Sequence, residues 1–175
     1  MHRILPMIRL PLAVLGLLAA LAGPAAAAGL AAPQGKALLE VAGAIERKNV
    51  GDTAVFDLAM LSGLGTEQLR TVTAWTEGEQ LFEGVPLKRV LDAVGAHGDR
   101  LRAVALNDYA STLALDDPAA AHAFLAFKRN GSPMRVRDKG PLWIVFPWSD
   151  HPELVTDKIR TWSVWQLKSL EVMSH

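Results

Sequence analysis

The chain of 175 residues carries 18 basic and 18 acidic side chains, no cysteine, and a hydrophobic share of 50%. Balanced charge without a clustered basic surplus excludes a nucleic-acid footprint. The missing thiol excludes disulfides, iron–sulfur clusters, thiolate catalysis and zinc–cysteine sites, so stability has to come from packing.

His2, Arg3 and Arg9 precede an apolar run from Leu10 to Leu21, and Pro24 leads into the small residues Ala25 to Ala28. Charged start, apolar middle and small-residue end are the three parts of a secretory signal peptide, which predicts removal of residues 1–28 and a periplasmic location. A membrane anchor is the alternative. The alanine-rich end and the lack of a basic stop-transfer flank argue against it. Removal takes two of the 18 basic residues and none of the 18 acids, leaving one domain over residues 29–175 with a formal charge of −2.

Leu38 to Ile45 has the apolar, β-branched content of a strand, and Asn49-Val50-Gly51-Asp52 follows it as a turn. Asp57 is placed to cap a short helix through Leu58, Met60 and Leu61 that ends near Gly63 and Gly65. Leu69 to Trp75 alternates threonine with apolar residues as a strand does. Pro86, then Leu87, Val90, Leu91 and Val94, then Gly95 have the spacing and the end signals of a helix. Leu101 to Leu106 and Tyr109 to Leu115 read as strands joined by an Asn107-Asp108 turn, and Asp116-Asp117-Pro118 opens a short helix. Phe124 to Lys128 and Met134 to Val136 flank Asn130-Gly131, the dipeptide of a type I′ hairpin. Leu142 to Phe146 reads as a buried strand and Ser163 to Val172 as a long alternating one. The sum is a β-rich α+β domain with short helices at its edges, without repeats or βαβ alternation.

The histidines His2, His97, His122, His151 and His175 include no pair at ligand spacing, so no metal is expected. No nucleophile elbow, phosphate loop or dinucleotide fingerprint occurs. Among the five tryptophans, Trp143 and Trp165 read as core, whereas Trp75 and Trp148 lie beside polar segments and are candidates to stack on a flat heterocycle. Polar candidates gather around them: Thr73 and Thr76 beside Trp75, then Asn107, Asp108 and Tyr109 in one tight connection. Arg135 and Arg137 alternate on the predicted strand, as an anion-facing pair would, with Asp138 and Lys139 following.

With those residues in hand, Phe82-Glu83-Gly84-Val85-Pro86-Leu87 resembles a segment of the oxidoreductase molybdopterin-binding domain, the fold of the sulfite oxidase family. Asn107-Asp108-Tyr109, Arg137-Asp138-Lys139-Gly140-Pro141-Leu142-Trp143 and Val164-Trp165-Gln166-Leu167 extend the likeness, which covers roughly residues 36 to 173. More narrowly the chain resembles a branch of small periplasmic proteins in which Thr73 to Gly78 stands where the enzymes place their metal-binding cysteine. A dioxo-molybdenum centre of this kind needs that soft thiolate.

The resemblance implies a non-catalytic module that binds a pterin, molybdopterin among the candidates, without the metal. It also implies reporting to the periplasmic part of a membrane-bound diguanylate cyclase or phosphodiesterase. Trp75, Tyr109 and Trp148 are then the stacking candidates, Asp108 or Asp150 the carboxylate for the ring's amino edge, and Arg137 and Lys139 the cations for its oxo group or an anionic tail, with Thr76 and Asn107 beside them. The rival reading is a molybdopterin-dependent oxidoreductase with an oxygen ligand or none on its metal. A third is an interaction domain that binds no small molecule.

Overall fold

The computed structural model describes residues 29–174, so the predicted signal segment 1–28 lies outside the described residues, as does His175. Strand β1 (Leu39–Gly43) buries Leu39 and Val41 and exposes Glu40 between them. After the turn, Val50 and Thr53 exchange backbone hydrogen bonds of 3.0 and 3.1 Å, and β2 (Ala54–Phe56) follows. Asp57 caps α1 (Leu58–Gly63) by accepting the Met60 N–H at 2.9 Å. The same carboxylate accepts from Gln34 and Gly35 at 2.9 and 2.7 Å, which ties the lead segment to the helix. These N–H donors, Met60's first and Gly35's next, hold the Asp57 carboxyl below the usual carboxylate range.

Strands β3 (Glu67–Val72) and β4 (Glu79–Pro86) form a hairpin. Helix α2 (Leu87–Val94) buries Leu87, Val90 and Val94 and stops at Gly95, whose φ of 63° is the left-handed cap that glycine adopts without penalty. Pro86 is the residue before the helix rather than its first turn. Strands β5 (Arg100–Ala105) and β6 (Ala110–Ala114) pair through the turn at Asp108. A 3-10 segment, Pro118–His122, is capped by Asp117. Strand β7 (Phe124–Arg129) enters the hairpin turn, where Asn130 and Gly131 have φ of 50° and 78°, into the two-residue β8 (Ser132–Pro133). Strand β9 (Trp143–Val145), helix α3 (Asp157–Trp162) and strand β10 (Leu167–Met173) complete the strands and α-helices among the described residues.

The strands form two five-stranded sheets. One has the order β2-β1-β10-β5-β6; the other runs β3-β4-β7-β8, with β9 also paired to β7. β1 and β10 pair in parallel with Val41 opposite Leu170, which brings the two ends of the domain into one sheet. The larger apolar core joins Phe56, Leu101, Leu125, Ile144 and Leu170 across both sheets. A smaller one around Phe82, Phe124 and Trp143 lies on the opposite side of the second sheet, since successive side chains of β7 and β9 face opposite ways. The fold is therefore α+β and strand-rich, with short helices at the margins. Among the described residues no helix is long and apolar enough to cross a membrane.

Three sequence expectations change. The strand predicted over Met134 to Val136 is absent, because Val136–Asp138 makes a 3-10 turn and the Arg135 carbonyl accepts from Asp138 and Gly140 at 2.8 and 2.9 Å. Arg135 and Arg137 hence share no strand face, and both lie against Asp138, at 2.6 and 3.9 Å. The long strand predicted from Ser163 begins only at Leu167, because α3 ends in Trp162 and Gln166 takes a φ of 51°. The strand predicted to run to Trp75 ends at Val72, leaving Trp75 in the β3–β4 turn.

Candidate functional site

Four chain segments meet around one pocket of about 280 Å³. The β3–β4 turn supplies Trp75, the β5–β6 turn Asn107 and Tyr109, α3 Arg160 and Thr161, and the segment behind it Ser163 and Trp165. The volume falls just below the usual range of ligand pockets, roughly 300 to 1,000 Å³, and suits one bicyclic ring better than a dinucleotide.

Local hydrogen bonds place each wall. Thr73 Oγ1 accepts the Trp75 N–H at 3.2 Å and lies 2.8 Å from Thr76 Oγ1, a hydroxyl turn that fixes where the indole enters. Asn107 Oδ1 accepts from the Tyr109 N–H at 3.2 Å, and the Tyr109 hydroxyl donates to the Thr161 carbonyl at 3.2 Å, bracing the turn against α3. Thr156 caps α3 through the Ile159 N–H at 3.2 Å. Arg160, the one charged side chain on the lining, is paired with Asp157 at 2.8 Å. That pair is exposed, so a bound anion can compete for the guanidinium at little cost.

Trp75 is the hub of an indole cluster, with ring centroids 5.1 Å from Trp165, 5.7 Å from Trp148 and 6.0 Å from Trp143. Trp75 and Trp165 are half-buried and face the pocket; Trp143 and Trp148 are buried behind them. The indole N–H groups of Trp143 and Trp148 are buried without a hydrogen-bond partner, an arrangement that costs about 1–3 kcal/mol each. Lys139 Nζ lies 4.4 Å from the Trp165 ring centre and 5.7 Å from that of Trp143. Burial first, and the charge of Arg129 second, pull its ammonium below the usual lysine range.

Of the residues singled out from sequence, the structure brings Trp75, Asn107 and Tyr109 to the pocket and sets Lys139 over the Trp165 ring. Thr76 stays in the Trp75 turn, bonded to Thr73. The others stand elsewhere. Trp148 is 5% exposed and belongs to the main core, so it supports Trp75 from behind and presents no face to the pocket. Asp108 turns outward and pairs with Lys168 at 2.6 Å, which lowers its carboxyl pKa. Asp150 and Arg137 are exposed and absent from the lining. Trp165, read from sequence as core, is instead a pocket wall. Thr161 was missed and Arg160 stood outside the candidate set, because α3 was not foreseen. Thr156 before Asp157, at the start of a short amphipathic stretch, was its available signal.

Residues 62–150 match the model of the oxidoreductase molybdopterin binding domain, a little over half of the chain. The chain belongs to that family. None of the curated proteins compared with it matches. The match spans Trp75, Asn107, Tyr109 and Lys139 and stops before Arg160, Ser163 and Trp165. The family segment thus supplies one side of the pocket, and the other side comes from residues beyond the match.

Two parts of the family's cofactor fare differently here. The pocket suits a pterin ring: two half-buried indoles, an amide and hydroxyls line a ring-sized space. The metal does not fit, because the sequence holds no thiolate donor. Among the described residues no three His, Asp or Glu side chains converge in its place.

Proposed function

We propose that this chain is an exported binding module that captures a pterin-like heterocycle in the pocket between Trp75 and Trp165 and works by presenting the loaded form to a partner. The observation that carries this reading is Trp75. It stands on the pocket wall, and by the narrower resemblance its segment, Thr73 to Gly78, takes the place of the enzymes' metal-binding cysteine, so an aromatic face would stand where the metal ligand does in them. Trp75 and Trp165 would cover the ring, Asn107 would meet its amino-oxo edge with both a donor and an acceptor, and Arg160 would take an oxo group or an anionic tail. Lys139 would add positive potential from behind Trp165.

The partner in this proposal is the periplasmic part of a membrane-bound enzyme of cyclic-di-GMP turnover, as the narrower resemblance implies. Titrating the purified protein with reduced and oxidised pterin by intrinsic fluorescence, alongside molybdenum analysis of the same sample, tests the reading. The expected result is saturable quenching of the tryptophans with one pterin per chain and no stoichiometric metal. Failure of both pterins to bind would remove the proposal. About one molybdenum per chain together with turnover of an oxidisable substrate would replace it with the oxidoreductase reading.

A further inference from the structure

A second concave surface lies behind the aromatic pocket. The lead segment, β1, β2 and β10 meet the 134–141 segment around a groove of about 690 Å³. Leu38, Val50, Leu106, Val136 and Pro141 give it an apolar floor, and its charged lining is Lys36, Arg135 and Lys168 against the single acid Glu40. Val50, Leu106 and Val136 are 47%, 45% and 52% exposed, three of the seven most exposed large apolar residues among those described. Apolar exposure gathered in one groove rimmed by polar groups marks an interaction surface. Arg135 and Lys168 have their own acids, Asp138 and Asp108, in exposed pairs that a partner's carboxylate can replace at little cost.

Groove and pocket share one wall. The β5–β6 turn sends Leu106 to the groove and Asn107 and Tyr109 to the pocket, while the next segments send Val136 and Lys168 one way, Lys139 and Trp165 the other. Gln166 joins them: its N–H donates to the Lys139 carbonyl at 2.9 Å, its amide to the Val136 carbonyl at 2.7 Å, and its own carbonyl accepts from Leu106 at 2.8 Å. Asp108, Lys139 and Gln166 have φ of 64°, 74° and 51°, three of the four non-glycine residues with positive φ among those described. Backbone held in this region collects where a structure must adopt a conformation that its residues do not favour.

We infer that the groove is the docking site for an extended segment of a partner protein whose branched apolar side chains are flanked by carboxylates, and that filling the Trp75–Trp165 pocket changes its affinity through the shared wall. The inference rests on the reading of a module that acts through a partner, and its docking half does not depend on which heterocycle is bound.

The test uses the full chain and two short labelled peptides with the same apolar residues, one with glutamate flanks and one with lysine flanks, followed by fluorescence anisotropy. The glutamate peptide is expected to bind, more weakly as salt rises, and the lysine peptide is not. Val136→Asp should weaken binding at least tenfold. Lys36→Glu should weaken it severalfold, and thermal melts should show both variants folded. Saturating reduced pterin should shift the peptide's affinity severalfold, with the reciprocal shift in pterin affinity that linkage requires. Binding that Val136→Asp leaves intact, preference for the lysine peptide or for anionic lipid vesicles, or a dimer that Val136→Asp dissolves would each overturn the docking site. Unchanged peptide affinity with the pocket filled would overturn the coupling. A protein that binds the peptide but no pterin would retain the groove and lose the function proposed above.

Discussion

Trp143 and Trp165 are in contact through an isolated bridge between their backbones, yet the fold uses them in opposite ways. Trp143 is completely buried on β9, against Phe82 at 5.5 Å in an edge-on arrangement. Trp165 is half-buried after α3, with Lys139 on one side and the pocket on another. The difference teaches that the number of tryptophans in a sequence says little about ligand binding. What decides is whether the backbone brings the indole to the wall of an open pocket or packs it on all sides against other side chains.

The strongest way to break this comparison is truncation. Trp143→Ala should cost about 3–5 kcal/mol of stability, because the close-packed second sheet can collapse only partly around the lost volume. For a domain of this size that corresponds to a fall in Tm of roughly 6–20 °C. Trp165→Ala should cost clearly less stability and instead weaken pterin binding by about 1–3 kcal/mol, roughly five- to 150-fold. Thermal melts and fluorescence titrations of both variants check the pair. Equal losses of stability with no loss of binding in Trp165→Ala would mean that both indoles are core and that the pocket is not the site.

A smaller effect sharpens the same contrast through Lys139, whose ammonium lies over both rings. Its folded-state pKa is depressed, so below that value the folded protein carries the penalty of a partly desolvated charge. Between the depressed value and the ordinary lysine range, near 10.4, the unfolded chain binds a proton that the folded one does not, and stability rises with pH. Lys139→Met should lose this alkaline rise, while giving up about 0.5–1 kcal/mol of cation–ring attraction. Melts of parent and variant between neutral pH and the lysine range measure it. An identical pH profile for both would show that the ammonium is solvated and that the rings do not hold it.

Much of the fold was legible because its signals are local. Asp57 before a helix, Asn130-Gly131 between strands, and Pro86 with Gly95 around an apolar heptad-like run each carry their chemistry within a few residues. The family likeness was also legible, because Gly84-Val85-Pro86 and the segments around Asp108 and Lys139 recur in order. The site was half legible. Trp75, Asn107 and Tyr109 announce themselves by lying beside turns, but part of the opposite wall comes from a six-residue helix, Asp157–Trp162, just before the stretch read as a long strand. Gln166 interrupts the expected strand with a positive φ that no glycine signals. Exchanging Trp148 for Trp165 was the characteristic error, since both precede or follow polar residues and only tertiary packing decides which is sealed.

The smallest expected effect belongs to Asp108, one of the two carboxylates, with Asp150, that the sequence offered for the ring's amino edge. Its side chain is 84% exposed and pairs with Lys168 on the far side of the β5–β6 turn from the pocket. Asp108→Asn should therefore leave pterin affinity unchanged within about twofold, well under the loss of roughly 1.5–3 kcal/mol expected for removing a charged hydrogen bond to the ligand. The turn should survive as well, because asparagine tolerates the left-handed φ of 64° as readily as aspartate does. Stability should show only a weak acid-side signature. The hydrogen bond from Lys168, its largest cause, lowers the Asp108 pKa, so the parent's gain is present above the ordinary carboxylate value and is lost as pH falls through the folded-state value. The asparagine variant has no such dependence, and added salt should erase what difference there is, since water and ions screen an exposed pair. Pterin titration at neutral pH, with melts from neutral to acid pH at low and high salt, separates the outcomes. A tenfold loss of pterin affinity in a folded Asp108→Asn protein would place the ligand across the turn, against Lys168, and the half-buried indoles would then be a wall of the site rather than its centre.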